Sequence, residues 1–307
     1  MTESTAKTKA VLQAIFVTGL WSTSWVLIKL TLDEIPPLVF AGLRYSFATI
    51  FLLPGLIQQK RQIKALSRRD WIRLTILGIL FYSITQGGQF LTLNHLNAST
   101  FSLLLNFTSV IVAILGIFSL REIPSLSQWV GIVVFMAGVM IFFFPFGGQS
   151  GDPIGFVFAG VTVIANALSS LLGRKINRTQ NLSPSIVTGI SMGVGSAILL
   201  TIGVMVEGFP RLSFINILVI LWLALVNTAF AFHLWNRSLQ VLSAVESSAI
   251  NNSMLIQIAF LAWVFLGERL ILRQVIALGM AALGIVLTNV IWPLNNAKQI
   301  KEENTQP

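Results

Sequence analysis

The sequence predicts an all-α polytopic membrane protein whose ten transmembrane helices form a 5+5 inverted repeat. Three observations carry this expectation. Hydrophobic residues make up 55% of the 307-residue chain and charged residues only 10%, whereas a soluble domain carries about 25% charged residues. Apolar runs of about 20 residues, the length that crosses a bilayer as a helix, recur ten times: 10–31, 37–58, 71–93, 98–119, 126–144, 154–173, 185–206, 214–236, 245–266 and 271–292. Barrel strands are shorter and alternate. Residues 93–143 also lie over 239–289 at a constant offset of 146, which sets Asn106 on Asn252, Glu122 on Glu268, Gln128 on Gln274 and Gly138 on Gly284. Leucine matches are cheap in such a chain, but polar matches inside apolar segments are not. Five spans per copy is an odd number, so the second copy enters the membrane from the opposite side. The expected organisation is a cytoplasmic tail over 1–9, a first repeat over 10–148, a second over 149–293 and a cytoplasmic tail over 294–307.

The polar tail Met1–Lys9 has no small-residue cleavage site after a short apolar core, so helix 1 reads as an uncleaved anchor. Helix 1 carries Trp21-Ser22-Thr23-Ser24-Trp25 and ends near Lys29. Pro36-Pro37 start helix 2, since proline fits a first turn where its missing N–H costs nothing. Arg44 follows about two turns later. An ionisable residue at that depth marks either a functional site or a side chain snorkelling to the outer interface. Helix 3 offers Tyr82, Gln86 and Gln89 on one face, and His95 is expected in the loop beyond it. Helix 4 carries Ser99, Ser102, Asn106, Ser109, Ala113 and Gly116 at spacings that share one face.

Helix 5, with Gly131 and Gly138, and helix 10, with Ala277, Ala281 and Gly284, read as scaffold or as the face of a possible homo-oligomer. Helix 6 offers Asn166, Ser169 and Gly173 and ends at Arg174-Lys175; Ser183-Pro184 start helix 7. Helix 8 presents Asn227, Phe230 and Leu234. Helix 9 carries Ser248, Asn252, Leu255, Ala259 and Ala262, with Glu246 near its start. Glu122 and Glu268 close one helix just before the next begins, and are expected as structural acceptors for the first amides of helices 5 and 10.

The amides and aromatics suit an uncharged or zwitterionic organic molecule. The candidate substrate-binding residues are Trp21, Gln86, Gln89, Asn106, Asn166, Asn227 and Asn252. Trp21 would supply an aromatic wall, and the amides would orient polar groups. Asn106 and Asn252 could instead hydrogen-bond between helices. Arg44, Glu246 and His233 are the candidates for charge or proton coupling. Glu246 also fits a first helical turn wetted by the cytoplasm.

The net charge of +9 does not point to nucleic acid. With the N-terminus inside, fifteen basic residues fall in cytoplasmic segments and only Lys29, Arg211, Arg269 and Arg273 outside, with Arg44 in the membrane. That bias follows the positive-inside rule and sets both termini in the cytoplasm of a cell (inner) membrane protein. The cluster Lys60–Arg73 meets anionic lipid headgroups. There is no cysteine, no histidine and glutamate cluster with metal spacing and no phosphate-cradling loop, so no catalytic residues, metal or cofactor are expected. The partners expected are a small-molecule substrate and membrane lipid. A membrane-embedded enzyme would need a convergent nucleophile or metal set, and a sensor would need a signalling tail or soluble domain.

Three stretches are distinctive: Leu20-Trp21 through Lys29, then Pro36-Pro37 and Arg44; the junction Leu120-Arg121-Glu122 with Leu126 and Trp129-Val130-Gly131; and its second copy Phe265-Leu266-Gly267-Glu268-Arg269-Leu270. In these the chain resembles the EamA-type ten-helix proteins of the drug/metabolite transporter superfamily. The resemblance implies a 5+5 inverted repeat, a central cavity, and export of amino acids, other metabolites or toxic compounds by alternating access. The chain departs from the family at Arg121, where glycine is usual, and at Ser109 and Leu255, where helices 4 and 9 often carry proline. The expectation is an exporter of a small amphipathic metabolite such as an amino acid. The alternative is a proton-coupled exporter of multiple drugs or toxic compounds.

Overall fold

A computed structural model describes the backbone of residues 3–120, 126–144, 152–179, 182–239, 241–242 and 250–303. Every regular element among them is helical: α1 (Glu3–Thr31), α2 (Pro37–Gln58), α3 (Lys60–Lys64), α4 (Arg68–Gly78), α5 (Gly87–His95), α6 (Ala98–Leu105), α7 (Phe107–Leu120), α8 (Leu126–Phe143), α9 (Pro153–Thr179), α10 (Pro184–Glu207), α11 (Phe214–Ala224), α12 (Ala231–Leu239), α13 (Met254–Leu266) and α14 (Leu272–Glu303). Ile79–Gln86 joins α4 to α5 as a π-helical segment, and Leu225–Phe230 joins α11 to α12 in the same way. Among the described residues five helices are long and apolar enough to cross a membrane, namely Thr8–Thr31, Pro37–Gln58, Arg68–His95, Pro153–Gly173 and Pro184–Glu207, and five further apolar helices are shorter. The protein is a multi-pass, all-helical membrane protein. The helix starts follow the local chemistry. Pro37 opens α2 and Pro184 opens α10, where Ser183 Oγ accepts from Ile186 N; Ser67 and Asp70 form a reciprocal capping box on α4.

By internal contacts the chain divides into two compact units, Met1–Thr23 with Ala113–Ser150 and Phe232–Pro307, and Ser24–Val112 with Gly151–Ala231. In the first unit α8 packs on α14 through glycine. A Cβ added at Gly138 would lie 2.7 Å from Ala281 N and 2.8 Å from Ala277 O. One added at Gly284 would lie 2.4 Å from Phe135 N and 2.6 Å from Gly131 O. Ala277 and Ala281 are the offset counterparts of Gly131 and Phe135. Each helix therefore presents the same patch to the other, which is the pattern of a two-fold contact. Lipid tails are as apolar as leucine, so close backbone approach and dispersion hold such a pair. A small satellite cluster of Ala10, Ala14 and Leu242 packs against Val11, Trp235 and Ile250.

The second unit is built on α2, α4, α9 and α10. Gly42 of α2 lies against Leu200 of α10, and Gly203 of α10 against Val39 of α2. Leu74, Leu77, Ile176, Ile186, Val187 and Ile190 form its apolar core. The start of α2 has no side-chain cap of its own. Glu207, the last residue of α10, supplies it by accepting from Leu38 N and Val39 N at 3.0 Å each. Lys29 does the converse at the end of α5, donating to Leu93 O and Leu96 O. His95, expected in a loop, closes α5, and its Nδ1 lies 3.0 Å from Asp152 Oδ2.

Two expectations about helix faces change. The face of Tyr82, Gln86 and Gln89 assumed a uniform 3.6-residue period, but the π segment widens the turn over Ile79–Gln86. Thr85 Oγ1 follows the wider turn and donates to Leu80 O, five residues back, at 2.8 Å. The single face of helix 4 is broken at Asn106, between α6 and α7.

Gly284→Leu is expected to lower thermal stability in detergent by about 1–3 kcal/mol or more through overpacking, whereas Gly279→Ala, with nothing within 4 Å, is expected to leave it unchanged or raise it. Glu207→Ala is expected to cost about 1–2 kcal/mol in the same unfolding measurement.

Candidate functional site

Arg44 stands seven residues beyond Pro37, about 10 Å along α2. It does not snorkel: the residue is 4% exposed. Its Nε donates to Thr228 Oγ1 at 3.1 Å. Thr228 lies in the second π segment and donates its own hydroxyl to Leu223 O, five residues back, at 2.9 Å. The π turn thus aims the Thr228 oxygen at Arg44. The guanidinium carbon sits 5.2 Å from the centroid of the Tyr45 ring. Tyr45 Oη in turn donates to Gln86 Oε1 at 2.7 Å, and its ring meets Tyr82 edge-on at 5.6 Å. Arg44 Nη1 and Nη2 make no hydrogen bond to any described residue, and no described carboxylate pairs with them.

The other candidates of the second unit are spread along it. Asn166 Nδ2 donates to Thr108 Oγ1 at 3.1 Å, tying α9 to α7. Asn227 is fully buried, one residue before Thr228. Gln89 is half-buried on α5. Asn106 Nδ2 takes Ser102 O at 2.7 Å while its own N–H reaches back only to Leu103 O at 3.2 Å. A short polar side chain that captures a carbonyl one turn back competes with the helix ladder, and the helix breaks there.

Trp21 and Asn252 belong to the first unit. Trp21 stacks at a tilt on Phe232 and Trp235, with centroids 5.4 and 5.2 Å away. Asn252 Nδ2 is buried without a hydrogen bond among the described residues. The next residue, Ser253, interrupts the helix as Asn106 does: its N–H and its hydroxyl both return to Ile250 O, at 3.1 and 2.6 Å. These two breaks arise without proline, consistent with Ser109 and Leu255 standing at the family's proline positions. Around Ser253 lies a polar cluster absent from the sequence expectations. Gln257 Nε2 donates to Thr18 Oγ1 at 3.1 Å and Ser253 Oγ at 2.9 Å, and its Oε1 accepts from Ser22 Oγ at 3.0 Å. Gln257 was missed because its offset counterpart is Ile111, so the repeat did not flag it; a glutamine inside an apolar span was the available signal.

Glu122, Glu246 and the side chain of His233 lie outside the described residues. At the second junction Gly267, at φ 66°, ends α13, and its N–H and that of Glu268 both return to Ala262 O. The side chain seen capping the next helix is Gln274, whose Oε1 accepts from Ile271 N at 3.1 Å. No group of three or more metal-ligating side chains is present among the described residues.

A model of the EamA-like transporter family matches residues 8–144 and again 153–290. Bacillus subtilis YoaV, named an uncharacterised transporter, is 24% identical over 289 residues, covering 91% of this chain and 96% of its own. The S-adenosylmethionine/S-adenosylhomocysteine transporter of Chlamydia muridarum is 24% identical over 276 residues and 86% of each chain. The Escherichia coli inner membrane transporter YedA is 24% identical over 296 residues, 92% of this chain and 90% of its own. A solved crystal structure at 15% identity covers 92% of this chain and 98% of its own with a TM-score of 0.65, which speaks for the fold alone. The apolar helices, the twofold match to one family model and the transporter relatives lead to one conclusion: this chain is a membrane transporter and belongs to the EamA-like transporter family.

Proposed function

We propose that this transporter exports a small amphipathic metabolite, such as an amino acid, by alternating access through a central cavity. The observation that carries the reading is a pair of matched irregularities. The π segments begin at Ile79 and Leu225, separated by the same 146 positions as Asn106 and Asn252. The helix breaks fall at Asn106 and Ser253, one residue from the same offset. Irregular backbone at membrane depth is tolerated where it is packed in protein or lines a cavity. In transporters with inverted repeats, interrupted helices mark the binding site near the midplane. In this reading Asn106 and Asn252, at the breaks, orient the polar end of the substrate, helped by Gln86, Gln89, Asn166 and Asn227. Trp21 forms an apolar wall. The chlamydial relative is named for S-adenosylmethionine and S-adenosylhomocysteine, both of which carry an amino-acid group, and this supports the class.

The charge distribution supports an inner-membrane protein with ten spans, ten being the even number that returns the C-terminus to the side of the N-terminus. Reporter fusions at residue 307 are expected to be fluorescent with green fluorescent protein and inactive with alkaline phosphatase. The converse pattern would reverse the orientation. In vesicles, alanine at both Asn106 and Asn252 is expected to slow substrate efflux about tenfold or more, the loss of one or two buried hydrogen bonds of roughly 1–2 kcal/mol. Unchanged efflux would displace the pocket from the helix breaks.

A further inference from the structure

We propose that Arg44 is an anion-binding residue whose free guanidinium edge takes the carboxylate of the transported molecule. This rests on the amino-acid reading above and deepens it. A guanidinium keeps its charge throughout the accessible pH range, so Arg44 brings a permanent cation into the membrane at 4% exposure. A buried charge is tolerated when it is paired and hydrogen-bonded. Here the chain satisfies only one donor, Nε, through Thr228 Oγ1. The four N–H groups on Nη1 and Nη2 have no described protein acceptor. Two parallel N–H groups of that fork match the two oxygens of a carboxylate.

The neighbours fit the same ligand. Tyr45 Oη donates to Gln86 Oε1, which leaves the Gln86 Nε2 amide as a donor beside the ring. The rings of Tyr45, Tyr82 and Phe81 pack in a run, with centroids 5.6 and 4.9 Å apart, and give an apolar flank beside the charge. A lipid phosphate is a poor fit, because a side chain this buried does not face the bilayer. The geometry assigns the site to a carboxylate on an apolar body. The Thr228 hydroxyl, fixed by its bond to Leu223 O, is a positioning residue for the fork.

The test uses the full chain in vesicles loaded with the common amino acids and then with their carboxamides. Efflux of at least one amino acid is expected, more than about tenfold faster than that of its carboxamide. Arg44→Gln is expected to erase this ratio, and Arg44→Lys, which keeps the charge but loses the fork, to retain part of it. If the wild type moves acid and carboxamide equally, or a folded Arg44→Gln keeps the ratio, the assignment of Arg44 is overturned and the amino-acid reading stands. Should Arg44→Gln fail to elute as folded protein, the ratios of the wild type and Arg44→Lys decide. If no amino acid leaves the vesicles, the amino-acid reading falls alone. Arg44 is then judged by thermal stabilisation of the purified protein with benzoate against benzamide and sodium chloride. A rise with benzoate only, lost in Arg44→Gln and reduced in Arg44→Lys, upholds the site. An equal rise with benzamide or chloride, or no rise, overturns it.

Discussion

The constraint on which this structure depends is that the hydrocarbon core offers no water to a backbone N–H or C=O. Regular helix meets it within each span. At several places where the helix stops or widens, a side chain answers. Glu207 serves the first amides of α2, and Lys29 the last carbonyls of α5. Thr85 and Thr228 each bond a carbonyl five residues back in a π segment. Asn106 and Ser253 take the carbonyls Ser102 O and Ile250 O where their helices break. Several of the polar residues in these spans therefore stand at points where the backbone departs from the α-helix. Those are also the points where a pathway for a polar solute can be built, since irregular backbone needs the same polar lining.

The fold class was legible because lipid imposes length and apolarity on a span, and both are linear properties of sequence. The helix starts at Pro37 and Ser183-Pro184 were legible for a local reason: they depend on neighbouring residues only. The site was legible in its residue types and not in its partnerships. Arg44 stood out as a charge in an apolar run, but nothing in sequence joined it to Thr228, which lies 184 positions away. The π segments were invisible because spans that are mostly apolar carry too little periodic pattern for a widened turn to shift. Gln257 escaped because attention to the repeat favours residues that occur twice.

The repeat proves to be a symmetry of scaffold rather than of chemistry. Gly138 and Gly284 trade equivalent contacts between α8 and α14, and Ile79 and Leu225 open equivalent π segments. Arg44, by contrast, has Ile190 at its offset position, inside an apolar core cluster. Backbone irregularities are duplicated, while Thr228 and Gln257, like Arg44, have unlike counterparts, Tyr82 and Ile111. Duplicated backbone with unlike side chains makes the two halves of the repeat chemically distinct.

Glu207 has a mechanical consequence. Its carboxylate ends one helix and caps the start of another, and Gly42 and Gly203 bring the same two helices into backbone contact. Sliding α2 along α10 by one turn, about 5.4 Å, would strip two amides of their acceptor, the same loss of about 1–2 kcal/mol as removing the cap. The two helices are thereby coupled as one rod, stiff against shear along its length. Any rearrangement of this unit has to carry them together and find its compliance elsewhere in the chain.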